Sequence, residues 1–227
     1  MDKKETIGIN SKDTNKEDCE SIKLLKGLRR KVDITYRTRV NASNRLREKH
    51  QYYKRLNIYY SILVTIISII SMGEPSLSKV SNIILAASIA LTYYMLYVSE
   101  QNLQERAYKM EVTFKELGSL VNIIDLEIKK TKEMKTEENI CKLFDRYSNI
   151  ISSIENHEPI DYYIYKVDCI NKKFEYGEEL KGKQYELYLQ IKKKIFIHRL
   201  KEDIKRFAFF TIPLIASICI AIKCILK

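Results

Sequence analysis

The chain has 227 residues, with 40 Lys and Arg against 29 Asp and Glu, a net charge of +11, and only six Gly and three Pro. That length allows one domain, or a small domain with membrane segments, and so few turn-forming residues exclude a β-rich or loop-rich architecture. The basic excess fits nucleic acid or an anionic leaflet; its densest clusters abut uncharged stretches and no nucleic-acid-reading motif accompanies them, so the lipid bilayer is the expected partner and nucleic acid is not. The five cysteines, Cys19, Cys141, Cys169, Cys219 and Cys224, show no CxxC and no metal-ligand spacing, which predicts reduced thiols.

Residues 1–20 are charged, aperiodic and unlike a signal peptide, and predict a disordered tail. From 21 to 55 the pattern becomes helical. Leu25, Leu28, Val32, Thr35, Ala42 and Leu46 follow spacings of three and four, with Arg39 interrupting the stripe. No Pro stops this helix, so it is expected to run straight into the next segment.

Residues 56–72 and 80–99 carry no charge, and GEPSLSK joins them. Gly73 and Pro75 suit a tight turn. A hydrocarbon core roughly 30 Å thick needs about 20 apolar helical residues, which the second stretch meets and the shorter first one approaches. A buried hairpin in a large soluble core is the competing reading, and buried soluble helices seldom run this far without a Lys or Glu. Arg45, Arg47, Lys49, Lys54 and Arg55 precede the pair, and Arg106 and Lys109 follow it. The positive-inside rule then places both long ends in the cytosol and the turn outside the inner (plasma) membrane. Tyr52, Tyr53, Tyr59 and Tyr60 begin the first arm, and Tyr93, Tyr94 and Tyr97 end the second. An antiparallel hairpin brings them to one leaflet as an interfacial belt.

After the hairpin, Leu103, Ala107, Met110, Phe114, Leu117, Val121, Ile124 and Ile128 alternate spacings of four and three, a heptad seam. Packing antiparallel on residues 21–55 of the same molecule is the expected use of this seam, and coiled-coil assembly between copies is the rival. Gly118 within it marks a weak spot or a close helix approach. A charged turn over 129–138 leads to a third cytosolic helix bearing Ile140, Phe144, Tyr147, Ile151 and Ile154. Pro159 ends it, because the residue before proline is biased out of the helical region. A shorter helix carries Ile160, Ile164, Val167, Ile170 and Phe174, with Asp161 at the end favourable to an anion. A fifth, from about 178 to 206, carries Leu180, Leu187, Ile191 and Ile195.

Residues 207–222 are uncharged and follow the basic run of Lys192, Lys193, Lys194, Arg199, Lys201, Lys205 and Arg206. They read as a C-terminal third transmembrane helix over 207–227, and Pro213 is no bar in a membrane. The short length leaves an interfacial or buried helix as the alternative.

No catalytic signature is present: no glycine-rich phosphate loop, no GxSxG, no HExxH, and His50, His157 and His198 lack ligand spacing. The expectation is a non-enzyme with no cofactor and no metal. Polar residues inside the hairpin carry more meaning. Asn57, Ser61, Thr65 and Ser68 share a stripe on the first arm, and Ser81, Ser88 and Thr92 line the second. Either these small residues let membrane helices approach closely, or they line a pore built from several copies.

The order of basic helix, short-turned two-span hairpin and heptad helix beginning Glu100-Gln101-Asn102-Leu103 is followed by Arg146-Tyr147-Ser148-Asn149-Ile150-Ile151 and then Glu155-Asn156-His157-Glu158-Pro159-Ile160-Asp161-Tyr162. Together these resemble the SLATT domain, the two-transmembrane effector domain associated with SMODS nucleotidyltransferases and SLOG sensors. The likeness covers about 24–205, and the C-terminal span departs from the plain two-span pattern. Asn156, His157, Asp161 and Tyr162 are the motif residues. The fold expected is an all-α membrane protein: a tail over 1–20, a SLATT-like domain over 21–206 with its hairpin at 56–99 and cytosolic helices at 21–55 and 100–206 forming a helical bundle, then the third span. The resemblance implies a membrane effector of a prokaryotic conflict or antiviral system. Its members are expected to oligomerise into pores when a nucleotide signal or a nearby-encoded sensor triggers them, and it supplies no catalytic residues. The alternative is a membrane-anchored scaffold or adaptor without conduction.

Overall fold

The computed structural model describes residues 11–72, 78–130, 137–152, 155–175 and 182–225. Among the described residues six helices follow in order: α1 (Ser11–Met72), α2 (Ser78–Glu100), α3 (Leu103–Lys129), α4 (Glu137–Ser152), α5 (Pro159–Glu175) and α6 (Lys183–Ile225). No strand occurs among the described residues. As expected, α1 runs unbroken from its basic part into the uncharged stretch. It starts at Ser11, inside the segment expected to be a tail; residues 1–10 lie outside the described ones, as does the hairpin turn at 73–77.

The chain divides into two compact units, Met1–Val40 with Lys109–His157, and Asn41–Tyr108 with Glu158–Lys227. In the first, the early part of α1 packs on α3 and α4. Leu25, Leu28 and Val32 bury against Leu117, Leu120 and Ile124, and α4 adds Ile140, Leu143 and Ile150. Partners of α1 residues 29, 36 and 39 on α3 are Asp125, Phe114 and Met110, a falling order that makes the pair antiparallel. The heptad seam of α3 is thus used inside the molecule: Leu117 and Ile124 are fully enclosed, and Val121 and Ile128 pack at the edge. Gly118 is the close approach: a Cβ there would stand 3.3 Å from the Tyr36 ring.

In the second unit Ala42 and Ala107 are both buried, and Ser43 Oγ donates to the Ala107 carbonyl at 3.0 Å, since such small side chains let backbones come close. Ile160 of α5 packs with Ile191 and Ile195 of α6, and Tyr163, Ile164 and Val167 border that cluster. Between α2 and α3, Asn102 adopts φ 47°. Asn tolerates this left-handed conformation better than most residues. Its N–H caps the Ser99 carbonyl and its own carbonyl accepts from Arg106 N–H, so one residue ends α2 and starts α3.

Three expectations need correction. Arg39 does not interrupt the buried stripe of α1; it is enclosed within it, 1% exposed. The face of α4 is rotated, with Leu143 and Ile150 inside and Phe144, Tyr147 and Ile151 only half-buried. On α6, Leu187 points outward and Tyr188 inward, with its hydroxyl on Asn171 Oδ1 at 3.1 Å. The α6 helix begins at Lys183 and continues without a break past 206 to Ile225. Ile154 and Leu180 lie outside the described residues.

Candidate functional site

The motif stretch 155–162 forms the start of α5. Glu158 precedes Pro159, which takes the first helical position, where its missing N–H is no loss. Asp161 is fully buried, and its Oδ2 accepts from Glu158 N–H at 3.0 Å. This is the backward reach of a capping box, satisfying one of the donors that every helix start leaves over. The same carboxylate binds the Arg45 guanidinium through two bonds, Nε to Oδ1 and Nη2 to Oδ2, both 3.0 Å. Arg45 Nη1 donates to Glu158 at 2.6 Å, and Asn41 Nδ2 donates to the Asp161 carbonyl at 3.0 Å. Burial opposes the Arg45 charge, but the bonds and charges of Asp161 and Glu158 outweigh it and raise the group above its usual value. The fork geometry suits arginine and would not suit lysine. Asp161 is therefore a clamp that fixes α5 to α1.

The other motif residues stand apart from that clamp. Asn156 is exposed and His157 half-buried. Tyr162 is exposed, with its ring 6.1 Å from Tyr165 and Lys166 Nζ 5.9 Å above it. Sequence reading anticipated the Asp161 anion at a helix start and did not identify Arg45 as its partner. The spacing of 116 residues carries no local signal for that pair.

Arg39 is the second buried charge. Its Nη1 donates to the Glu155 carbonyl and lies 3.0 Å from Met110 Sδ, while Nε has no partner. Burial lowers it from the ordinary arginine value, and the charges of Glu155 and Tyr147 oppose that shift.

The uncharged stretches present a different surface. Ile62, Ile66 and Ile69 of α1 and Ile83, Leu85 and Ile89 of α2 are each at least half exposed. Among the described residues one stretch is long and apolar enough to cross a membrane, within 81–129, and 6% of its apolar window is buried. That window lies in α2, because 81–99 is the uncharged part; residues 56–72 and 207–222 are shorter. Four hydroxyls here bond within their own helices, whereas Ser71 Oγ is enclosed without a partner. Thr65 donates to the Ser61 carbonyl, Ser68 to Val64, Ser88 to Ile84 and Thr92 to Ser88, all at 2.7–3.0 Å. Ser61 Oγ reaches Asn57 Oδ1 at 3.5 Å, and Ser81 is exposed. The candidate residues Asn57, Ser61, Thr65, Ser68, Ser81, Ser88 and Thr92 are thus half-buried to exposed, and Thr65, Ser68, Ser88 and Thr92 turn their donors to backbone.

Tyrosines gather where the first of these stretches begins and the second ends. Tyr53 meets Tyr94 edge-on at 6.4 Å, Lys49 lies over Tyr53 and Arg206 over Tyr52. Tyr60 Oη donates to the Phe209 carbonyl at 2.8 Å, and Tyr59 Oη to that of Phe210 at 2.7 Å. The first of these is chemically telling. Pro213 lacks the N–H that would serve the Phe209 carbonyl four residues earlier, and Tyr60 supplies the missing donor. Two cavities border this region: one of about 640 Å³ beside Asn57, Met95, Val98 and Asn102, the other of about 480 Å³ beside Arg45, Ile164, His198 and Arg206. The second is lined by opposite charges in near balance. Among the described residues no group of three His, Cys, Asp or Glu stands ready to hold a metal.

The model of one family, the SMODS and SLOG-associating 2TM effector domain family 5, matches residues 22–222. No curated protein and no solved structure matches the chain. The match takes in every element from α1 to α6, including the Arg45–Asp161 clamp and the uncharged stretches, and the chain belongs to the SMODS and SLOG-associating 2TM effector domain family.

Proposed function

We propose that this chain is a membrane effector of a prokaryotic conflict or antiviral defence system. In this reading copies of it assemble into a pore through the inner membrane when a nucleotide signal, or a sensor protein encoded nearby, triggers them. The observation that carries the reading is an inverted surface. Isoleucines and leucines that a water-soluble domain would enclose point outward over α2 and the end of α1, while the early part of α1 holds an ordinary core with α3 and α4. Lipid is the medium that makes such a surface favourable, at roughly 25 cal/mol per Å² of apolar area kept from water.

The hairpin at 56–99 then spans the bilayer with its turn outside and both ends cytosolic. Residues 21–55 and 100–206 form the cytosolic part, and 207–227 are a third span. The Tyr60–Phe209 bond supports that third span, because a proline-freed carbonyl in hydrocarbon needs such a donor. One chain has too few spans to enclose water, so conduction requires several copies, with Asn57, Ser61, Thr65, Ser68, Ser81, Ser88 and Thr92 facing the lumen or the neighbouring helix. No bond-making step belongs to this reading.

The test is expression with the neighbouring genes followed by phage challenge, with membrane potential read by a voltage-sensitive dye. Depolarisation after challenge is expected. Potential that stays intact in cells the system protects contradicts the reading. Ion flux through liposomes holding the purified chain separates it from a non-conducting scaffold.

A further inference from the structure

Helix α6 carries two apolar faces, and the fold uses one. Tyr188, Ile191 and Ile195 are buried, the last two against Ile160 of α5. On the other side stand Leu189, Phe196, Leu200, Phe207, Leu214 and Ile218, spaced 7, 4, 7, 7 and 4 residues apart. At 100° per residue these six fall within about 40° of one another, a heptad seam. All six are exposed; Phe196 is 63% open and Phe207 71%. The seam starts among Lys192, Lys193 and Lys194 and ends in the uncharged C-terminal stretch. No single medium suits its whole length. Lipid can cover Phe207 to Ile218, and water would meet Leu189, Phe196 and Leu200.

We propose that this face is where two copies of the chain meet, α6 against α6, parallel and in register. The inference rests on the membrane reading above, since chains inserted the same way in one bilayer have parallel α6 helices at equal depth. A second α6 is apolar at the same heights, so it covers the water-side and lipid-side parts of the seam together. Six large side chains with roughly 100 Å² each still open offer about 600 Å² per copy, near the ~800 Å² per partner of a standard stable interface. Lys192, Lys193 and Arg199 border the seam against Asp203 and Glu186, a net positive edge, so like edges meet between copies and added salt favours their pairing.

The experiment is oxidative crosslinking of the full chain in native membranes, with the five cysteines replaced by serine. Phe196→Cys, Leu200→Cys and Phe207→Cys are compared with Lys201→Cys, which lies off the seam. Disulfide dimers from the first three and none from Lys201→Cys are expected, with yield rising with salt. Equal yield at all four positions overturns the proposal, and so does absence of dimers from the seam positions. If the chain migrates as an oligomer on native gels while the seam stays uncrosslinked, assembly proceeds through another surface; α6 pairing then fails and the pore reading stands. If the seam crosslinks and reconstituted liposomes pass no ions, the pore reading fails and the pairing stands.

Discussion

Two arginines of α1, Arg39 buried and Arg45 half-buried, behave as opposites, and the difference is their acceptors. Arg45 has a carboxylate held in a fork, so removing it leaves Asp161 charged, enclosed and unpaired. Breaking a buried pair costs about 3–5 kcal/mol, and because Arg45 keeps some solvent contact the low end applies, about 3 kcal/mol. Arg45→Ala is expected to lower the thermal midpoint in detergent accordingly, as read by helical circular dichroism. Arg39 meets a main-chain carbonyl and a thioether, its Nε is orphaned, and burial outweighs the charges that favour it. A matched apolar side chain relieves that desolvation, so Arg39→Met is expected to melt no lower than the parent. Arg39→Ala leaves a cavity and is expected to cost about 2–3 kcal/mol. Periodicity alone placed Arg39 on the inner stripe and could not tell an interruption from an enclosed charge. That depends on a carbonyl 116 residues away.

A third charge makes the pH dependence explicit. Asp125 of α3 accepts from Arg29 of α1, and that bond holds its carboxyl below the ordinary value of 3.8. A lowered folded-state value means the contribution is fully present above 3.8 and is lost as pH falls through the lower folded value. Arg29→Gln is expected to move the Asp125 titration midpoint upward, toward 3.8, in a carboxyl-selective NMR titration. Both groups are more than a third exposed, so the effect on stability is small.

At the scale of elements, the proline in α6 and the tyrosine on α1 form a coupled pair. Tyr60→Phe removes the donor that serves the Phe209 carbonyl and is expected to cost about 1 kcal/mol. In a Pro213→Ala background the helix recovers its own donor, and the cost of Tyr60→Phe is expected to fall toward zero in a double-mutant cycle. Asn102, the left-handed residue joining α2 to α3, makes a second test. Asn102→Gly is expected to be tolerated and Asn102→Val to cost about 1–2 kcal/mol, since a β-branched side chain meets the following carbonyl there. Helix identity was legible from three-and-four spacing throughout, and the α3 seam was read in part: Leu103, Ala107, Met110, Leu117 and Ile124 are buried, while Phe114, Val121 and Ile128 are half-buried and Thr113 and Leu120 lie inside. Which face turned inward failed on α4 and α6, where apolar residues occur on more than one side. Leu187 and Tyr188 are adjacent and both apolar, and only the presence of α5 beside one of them decides. The Asn102 break left no apolar gap to betray it.

For the molecule as a whole, the uncharged stretches, their basic flanks and their tyrosines were all readable without coordinates, because lipid imposes length and charge rules that act on local sequence. Long-range clamps such as Arg45–Asp161 were not, since no local rule pairs residues from distant helices. The account depends on lipid surrounding α2 and the end of α1. The direct measurement is centrifugation of a detergent-free lysate, with the membrane fraction then washed in alkaline carbonate. The account predicts that the chain stays in the pellet through the wash and leaves only with detergent; recovery in the first supernatant as a dispersed protein would contradict it.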